Sequence, residues 1–280
     1  MNVDLILNLL KMTVEASTAY LLITIGGVFV ARAGVFNISL EGCTEFAAFA
    51  GILFGVLSGN ILIGAFSALL VACIPACLLQ ALFGTRSNLV ATDLIDPMKM
   101  RVDVPVLRSI PVLGSIFNNQ TRITYLTVGI VICLIILMYR TKFGIYVRVT
   151  GENVGAAKSV GVRTNQVKLI CLLLSAATCA LAGLNLSVEE FGIYTINMTA
   201  NRWFICLSAI NCGRKETHRA CVYAVIFGFA RALQTILNNY VPAAISSLIG
   251  ILPYVTIIVA LLIVEIPNAR RNHLRIFKGA

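Results

Sequence analysis

Charge is the scarcest commodity in this sequence. Only 12% of its 280 residues are Asp, Glu, Lys or Arg, about half the share of an ordinary soluble domain. Acid is scarcer than base, 12 residues against 22. Histidine occurs twice, as His218 and His273, each alone in a polar segment. No Ser-His-Asp, HExxH or paired-carboxylate arrangement has supporting context, so hydrolytic chemistry finds no support. Nine cysteines are present without a CxxC pair. Cys73 and Cys77 stand one helical turn apart, but no His or Asp completes a metal set, and the cysteines read as small packing residues. The N-terminus lacks a basic region and a small-residue cleavage site, so no cleavable signal is expected. Four N-x-S/T triplets begin at Asn37, Asn119, Asn185 and Asn197. Three of them abut apolar segments, and chance explains them better than glycosylation.

What the sequence has instead is apolar length. Hydrophobic residues make up 59% and the mean hydropathy is +0.91. They gather into continuous runs, and a helix needs about 20 residues to cross a bilayer core. The runs do not alternate with period two, so helices are expected rather than a barrel. Residues 5–31, 43–57, 61–83, 123–139, 169–188, 220–237 and 243–264 form seven candidate spans. Residues 203–212 make half a span. Pro75 predicts a kink in the third run, and Lys11 and Glu15, four apart in the first, are placed to pair. The expected fold is all-α, a polytopic transmembrane bundle of about seven to eight crossings with broken or re-entrant segments. It forms one domain over 1–280, without a soluble domain or internal repeat.

The net charge of +10 has a simpler cause than nucleic acid, because basic residues collect in cytoplasmic loops. Six of them share residues 140–168, with Glu152 the only acid among them; Arg270, Arg271, Arg275 and Lys278 fill the tail. Both segments are expected inside. Counting the half-span as part of a broken crossing gives eight passes, with both termini cytoplasmic.

Two polar interruptions stand out. The first reads RAGVFNISLEG, residues 32–42, followed by Glu45. Charges there cost roughly 2.5–3.5 kcal/mol each on insertion scales. They fit either a broken helix lining a solute path or an interfacial loop with Arg32 snorkelling. The second reads FGIYTINMTANR, residues 191–202. Tyr194, Asn197, Thr199 and Asn201 offer hydrogen bonds there, and the half-span begins with its N-terminus facing back on them. Arg231, within an apolar run, reads equally as a pore-facing charge or a structural partner. The adjacent Glu189 and Glu190 point different ways on a helix.

The basic loop contains GENVGAAKS. It is not a phosphate loop, because Ala156 and Ala157 separate Gly155 from Lys158 and no strand precedes it. It reads as a short helix. Asn153 or Glu152 can cap it, it extends through Val160, and Gly161 ends it. Ala156 and Ala157 leave a small-residue face that another protein can approach closely.

RAGVFNISLEG, FGIYVRVTGENVGAAKSVGV (143–162) and NMTANRWFICLSAINCGR (197–214) resemble, in matching order, the permease subunits of bacterial ABC importers. The branch is that of nucleosides and simple sugars, related to branched-chain amino-acid permeases. The resemblance implies an importer, with nucleosides favoured. Two permeases, identical or paralogous, form the pathway. Two cytoplasmic ATPases use the ATP, and an extracellular lipoprotein delivers the solute. No cofactor is then bound by this chain. The resemblance makes the loop an ATPase-coupling helix at Gly151, Glu152, Asn153, Ala156, Ala157 and Gly161. The pathway set is Phe36, Asn37, Ser39, Glu41, Asn88, Tyr194, Asn197 and Thr199. Two departures stand against it. Residues 86–103 bring charges and Pro97 where the family has another long helix, and the turn at Gly213–Thr217 lacks the family's proline. A non-transporting scaffold or a gradient-driven transporter, with Glu41, Glu45 and Arg231 as its relay, are the alternatives.

Overall fold

The structure is a computed structural model that describes residues 3–35, 40–72, 88–90, 101–102, 116–195, 198–242 and 248–278. The predicted Pro75 kink and most of residues 86–103 lie outside them. The described chain is almost entirely helical: α1 (Val3–Arg32), α2 (Leu40–Ser58), α3 (Ile61–Val71), α4 (Arg122–Arg140), α5 (Lys142–Glu152), α6 (Val154–Ser159), α7 (Thr164–Leu184), α8 (Arg202–Cys212), α9 (Thr217–Tyr240) and α10 (Leu252–Lys278). A π-helical turn, Asn185–Phe191, continues α7. Four very short strands pair antiparallel: β1 (Asn88–Val90) with β4 (Ile193–Thr195), and β2 (Arg101–Val102) with β3 (Gln120–Thr121).

Five helices among the described residues are long and apolar enough to cross a membrane: α1, α2, α4, α7 with its π turn, and α9. α3 and the segment Leu252–Ile266 of α10 are shorter apolar helices. The chain is thus a multi-pass helical membrane protein. The expected third span is described only through residue 72; of the last one, residues 243–247 lie outside the described residues, and α10 runs from Leu252.

α1 is the axis of the bundle. Its most apolar stretch is 72% buried, against 22% for α4. It packs on α4, α7, α8 and α9. Tyr20, Leu22 and Ile23 meet Trp203, Cys206 and Phe227, while Phe29 meets Met138 and Val147. Small residues permit this closeness, as helix association in lipid requires. A Cβ on Gly228 would sit 2.6–2.9 Å from the Cβ, Cα and N of Ser17, so α9 and α1 touch nearly backbone to backbone. α2 and α3 form a second layer against α7, around Ala48, Ile52, Ala68 and Leu184. Outer faces such as Leu62, Phe66 and Leu70 on α3, and Val128, Ile132 and Ile136 on α4, are exposed, which suits lipid.

The two ends of the bundle differ. At one end lie the first turns of α1, β2, β3 and the start of α4. Arg101 pairs with Glu15 at 2.8 Å, and the Thr18 and Thr124 hydroxyls are hydrogen-bonded at 3.2 Å. Glu15 therefore serves Arg101, where the sequence suggested Lys11. At the other end lie the last residue of α1, the 140–168 loop and the turn before α9.

Candidate functional site

The two polar interruptions meet. Glu41 and Glu45 sit on the first turns of α2, one turn apart and on one face. Glu41 Oε1 accepts from the Thr199 hydroxyl and from the Asn201 backbone N–H, both at 3.0 Å. Glu45 accepts from the Tyr194 hydroxyl at 3.2 Å and from the Thr199 backbone N–H at 3.3 Å. The Tyr194 ring packs edge-on against Phe49, centroids 5.2 Å apart. Ala200 and Asn201 hold φ of 46° and 57°, a region that non-glycine residues seldom occupy. That bend aims the start of α8 at Glu41, and a carboxylate at a helix N-terminus is favoured by the free N–H groups there. β1 joins the same place, with Asn88 opposite Thr195 and Leu89 opposite Tyr194.

Of the predicted pathway set, the structure brings together Glu41, Tyr194 and Thr199, with Asn88 adjoining them in the strand pair. Phe36, Asn37, Ser39 and Asn197 lie outside the described residues. Glu45 and Asn201 belong to the cluster as well. Their polarity was visible in the sequence, but nothing there fixed which residues across the gap they would meet.

Arg32 finds its partners within the protein. Its Nε donates to the Lys215 carbonyl at 2.7 Å and its guanidinium pairs with Glu216.

The loop folds as its residues dictate. Asn153 Oδ1 accepts from the Ala156 N–H at 3.0 Å and caps α6. Gly161, with φ of 82°, stops it. The Val162 N–H returns to the Ala157 carbonyl at 3.0 Å and the Gly161 N–H to Lys158 at 2.9 Å, the Schellman pattern. The helix is one residue shorter than expected, because Val160 has already left helical geometry. Ala157 is fully buried, whereas Glu152, Asn153, Gly155 and Ala156 face outward, together with Val154 and Val160. Only one of the two alanines therefore belongs to the open face; the other anchors α6 to the bundle. Gly151 sits on the end of α1. A Cβ there would fall 2.8 Å from the Arg32 carbonyl carbon and 3.2 Å from the Gly34 nitrogen, so the loop and the RAG segment are in backbone contact.

Sequence reasoning did not find the use of Glu189. Both its oxygens accept from the Ile123 N–H, at 3.1 and 3.2 Å, and Asn185 Nδ2 donates to it at 3.3 Å. It caps α4 from another helix. Glu190 turns instead toward Arg202, at 3.9 Å, so the two adjacent acids do diverge as expected. Glu190, Arg202, Glu15 and Arg231 line one cavity of about 240 Å³.

Residues 82–264 match the family described as branched-chain amino acid transport system / permease component. Among individual proteins, the chain is 28% identical to the nucleoside ABC transporter permease protein NupC of Lactococcus lactis subsp. cremoris (strain MG1363), over 88% of either chain. It is 28% identical to the guanosine ABC transporter permease protein NupQ of Bacillus subtilis (strain 168), over 82% of this chain and 84% of that one. It is 26% identical to the putative glucose ABC transporter permease protein TsgC13 of Haloferax volcanii, over 81% and 76%. No solved structure matches.

Proposed function

Because this chain belongs to the permease-component family of branched-chain amino acid transport systems, we propose that it is the membrane-spanning permease subunit of an ATP-driven ABC importer that takes up nucleosides. The observation that carries the solute class is that two relatives named for nucleoside or guanosine permeation align with more than four-fifths of it. A simple sugar is the second reading, favoured by the likeness to the putative glucose permease. The chain is a transport subunit and not an enzyme. It binds no cofactor, and ATP is hydrolysed on a separate cytoplasmic ATPase subunit.

The outward face of α6, from Glu152 to Val160, is the surface that the ATPase takes. A second permease, identical or paralogous, completes the pathway, and a substrate-binding lipoprotein delivers solute from outside. The solute passes the cluster of Glu41, Glu45, Tyr194 and Thr199. Carboxylates and a tyrosine ring there offer acceptors for ribose hydroxyls and an aromatic surface for a base.

The loop lies in the cytoplasm of a cell whose plasma membrane the bundle spans. That orientation favours a different reading of the N-terminus from the count of passes, which expected both termini inside. The first turns of α1 lie at the opposite end of the bundle from the loop, so a cytoplasmic loop puts them outside. α10 follows α9 back along α8 through Ile257 and Ala260, which carries the basic tail inside.

Reconstitution in proteoliposomes with the cognate ATPase and binding protein tests the reading. ATP-dependent uptake of labelled nucleosides, and not of ribose or galactose, is the expected result. Glu152→Lys is expected to abolish uptake and leave membrane insertion intact. Uptake without ATP, driven by a proton or sodium gradient, would overturn the reading, as would ATPase binding without uptake of any solute.

A further inference from the structure

Glu216, in the turn between α8 and α9, belongs neither to the solute cluster nor to the open face of α6, yet three other elements converge on it. It accepts from the hydroxyl of Tyr139, in the last turn of α4, and pairs with Arg32, the last residue of α1. The Tyr139 hydroxyl accepts in turn from the Thr217 N–H at 3.3 Å, which ties in the first residue of α9. The Arg148 guanidinium of α5 lies 5.7 Å from the centre of the Tyr139 ring, within cation–π range. Arg214 and Lys215 hold φ of 53° and 60°, and this unusual bend presents the Lys215 carbonyl to Arg32. Burial alone would raise the Glu216 carboxyl; the hydrogen bonds from Tyr139 and Arg32 hold it below the usual carboxylate range.

The Arg32 and Glu216 side chains are 16% and 32% exposed. Ion pairs that wet add little stability, so the arrangement matters more for position than for strength. Beside it, Gly151 rests on Arg32 and Gly34 by backbone contact. Such a contact resists approach and does almost nothing against separation, because dispersion between a few atoms is weak. The hydrogen-bonded ion pair resists separation.

Resting on the reading of the loop as the ATPase-coupling segment, we propose that Arg32, Glu216 and Tyr139 are positioning residues that make α1 and α9 follow the loop in both directions. Gly151 transmits the push of the loop to α1. The Arg32–Glu216–Tyr139 joint transmits the pull, and it carries α9 along because Glu216 and Thr217 begin that helix. Without the joint the loop still docks on the ATPase, but the central helix lags behind it.

The test uses the full complex of permease, ATPase and binding protein in proteoliposomes, with uptake and ATP hydrolysis measured together on a labelled nucleoside. Tyr139→Phe removes one hydroxyl. Glu216→Ala removes the hub, and Arg32→Glu with Glu216→Arg reverses the pair. The single changes are expected to leave the ATPase bound and hydrolysing while nucleoside moved per ATP falls about tenfold, the scale of one lost charge-assisted hydrogen bond. The reversed pair is expected to recover part of that ratio; a merely structural role would instead lower assembly and hydrolysis and leave the ratio unchanged. Should Glu216→Ala fail to assemble, Tyr139→Phe decides. An unchanged ratio in every variant that assembles overturns the joint and leaves the functional reading standing. Absence of ATP-driven uptake in the unaltered complex overturns both.

Discussion

Replacing Gly151 by alanine probes the seat between the loop and the end of α1. The added methyl would meet three backbone atoms: the Arg32 carbonyl oxygen, its carbon at 2.8 Å and the Gly34 nitrogen at 3.2 Å. Real Cβ atoms do not approach within 3.0 Å, and backbone cannot turn aside as a flexible side chain can. The loop must lift off α1, or the end of α1 must bend. Overpacking of this kind costs about 1–3 kcal/mol, and fixed neighbours place it toward the upper end. For a chain of this size that corresponds to a fall of roughly 3–5 °C in the unfolding midpoint.

Gly129→Ala is the control. It lies within α4, and a Cβ there meets nothing within 4 Å. Removing a helix-interior glycine stabilises by about 0.5–1 kcal/mol, so its midpoint should rise. The assay is thermal unfolding of the detergent-solubilised protein, followed through the fluorescence of Trp203, the single tryptophan of the chain, which is buried against Cys206 and Phe227. A Gly151→Ala midpoint equal to that of the unaltered protein, alongside a raised Gly129→Ala midpoint, would refute the close seat.

Other outcomes follow from the same geometry. Glu189→Ala strips the Ile123 N–H of its acceptor; about 1–3 kcal/mol is expected to be lost, read as a lowered midpoint. Glu41→Gln combined with Glu45→Gln should keep the fold, because amide oxygens still accept the listening N–H and O–H groups, yet weaken nucleoside uptake; unaltered uptake would remove these carboxylates from the pathway. Since Glu216 has a folded-state pKa below the ordinary value, the stability it adds is complete at neutral pH and lost as pH falls through that lowered value. The midpoint difference between the unaltered protein and Glu216→Gln should therefore shrink on acidification, and a difference that grows instead would contradict the assignment.

Local chemistry was legible in the sequence where the partner sits nearby. Asn153 and Gly161 act within a few residues of themselves, so the borders of α6 could be read from residue types, as could the half-length helix after the second interruption. Long-range partners were not legible. Arg32 reaches Glu216 across 184 positions and Glu15 reaches Arg101 across 86, and no periodicity in a run of apolar residues says which distant charge will face a given one. Lys11 was an equally good partner for Glu15 on helical spacing alone. The Glu189 cap escaped because it depends on where α4 begins relative to a π turn, which local pattern does not reveal.

The central position of α1 has a consequence for how the protein is made. The residues that enclose it come late: Cys206 donates to the Tyr20 carbonyl across 186 positions. Ribosomes add about 5–20 residues each second, so roughly 10–40 s pass between synthesis of α1 and arrival of α8. Through that interval a helix carrying Lys11, Glu15 and a series of threonines has few of its final neighbours. The most enclosed helix of the finished bundle is thus the one that spends longest waiting in the bilayer, and its side-chain hydroxyls cover the wait by bonding within the helix, as Thr13 does to Leu9 at 2.7 Å and Thr18 to Val14 at 2.9 Å.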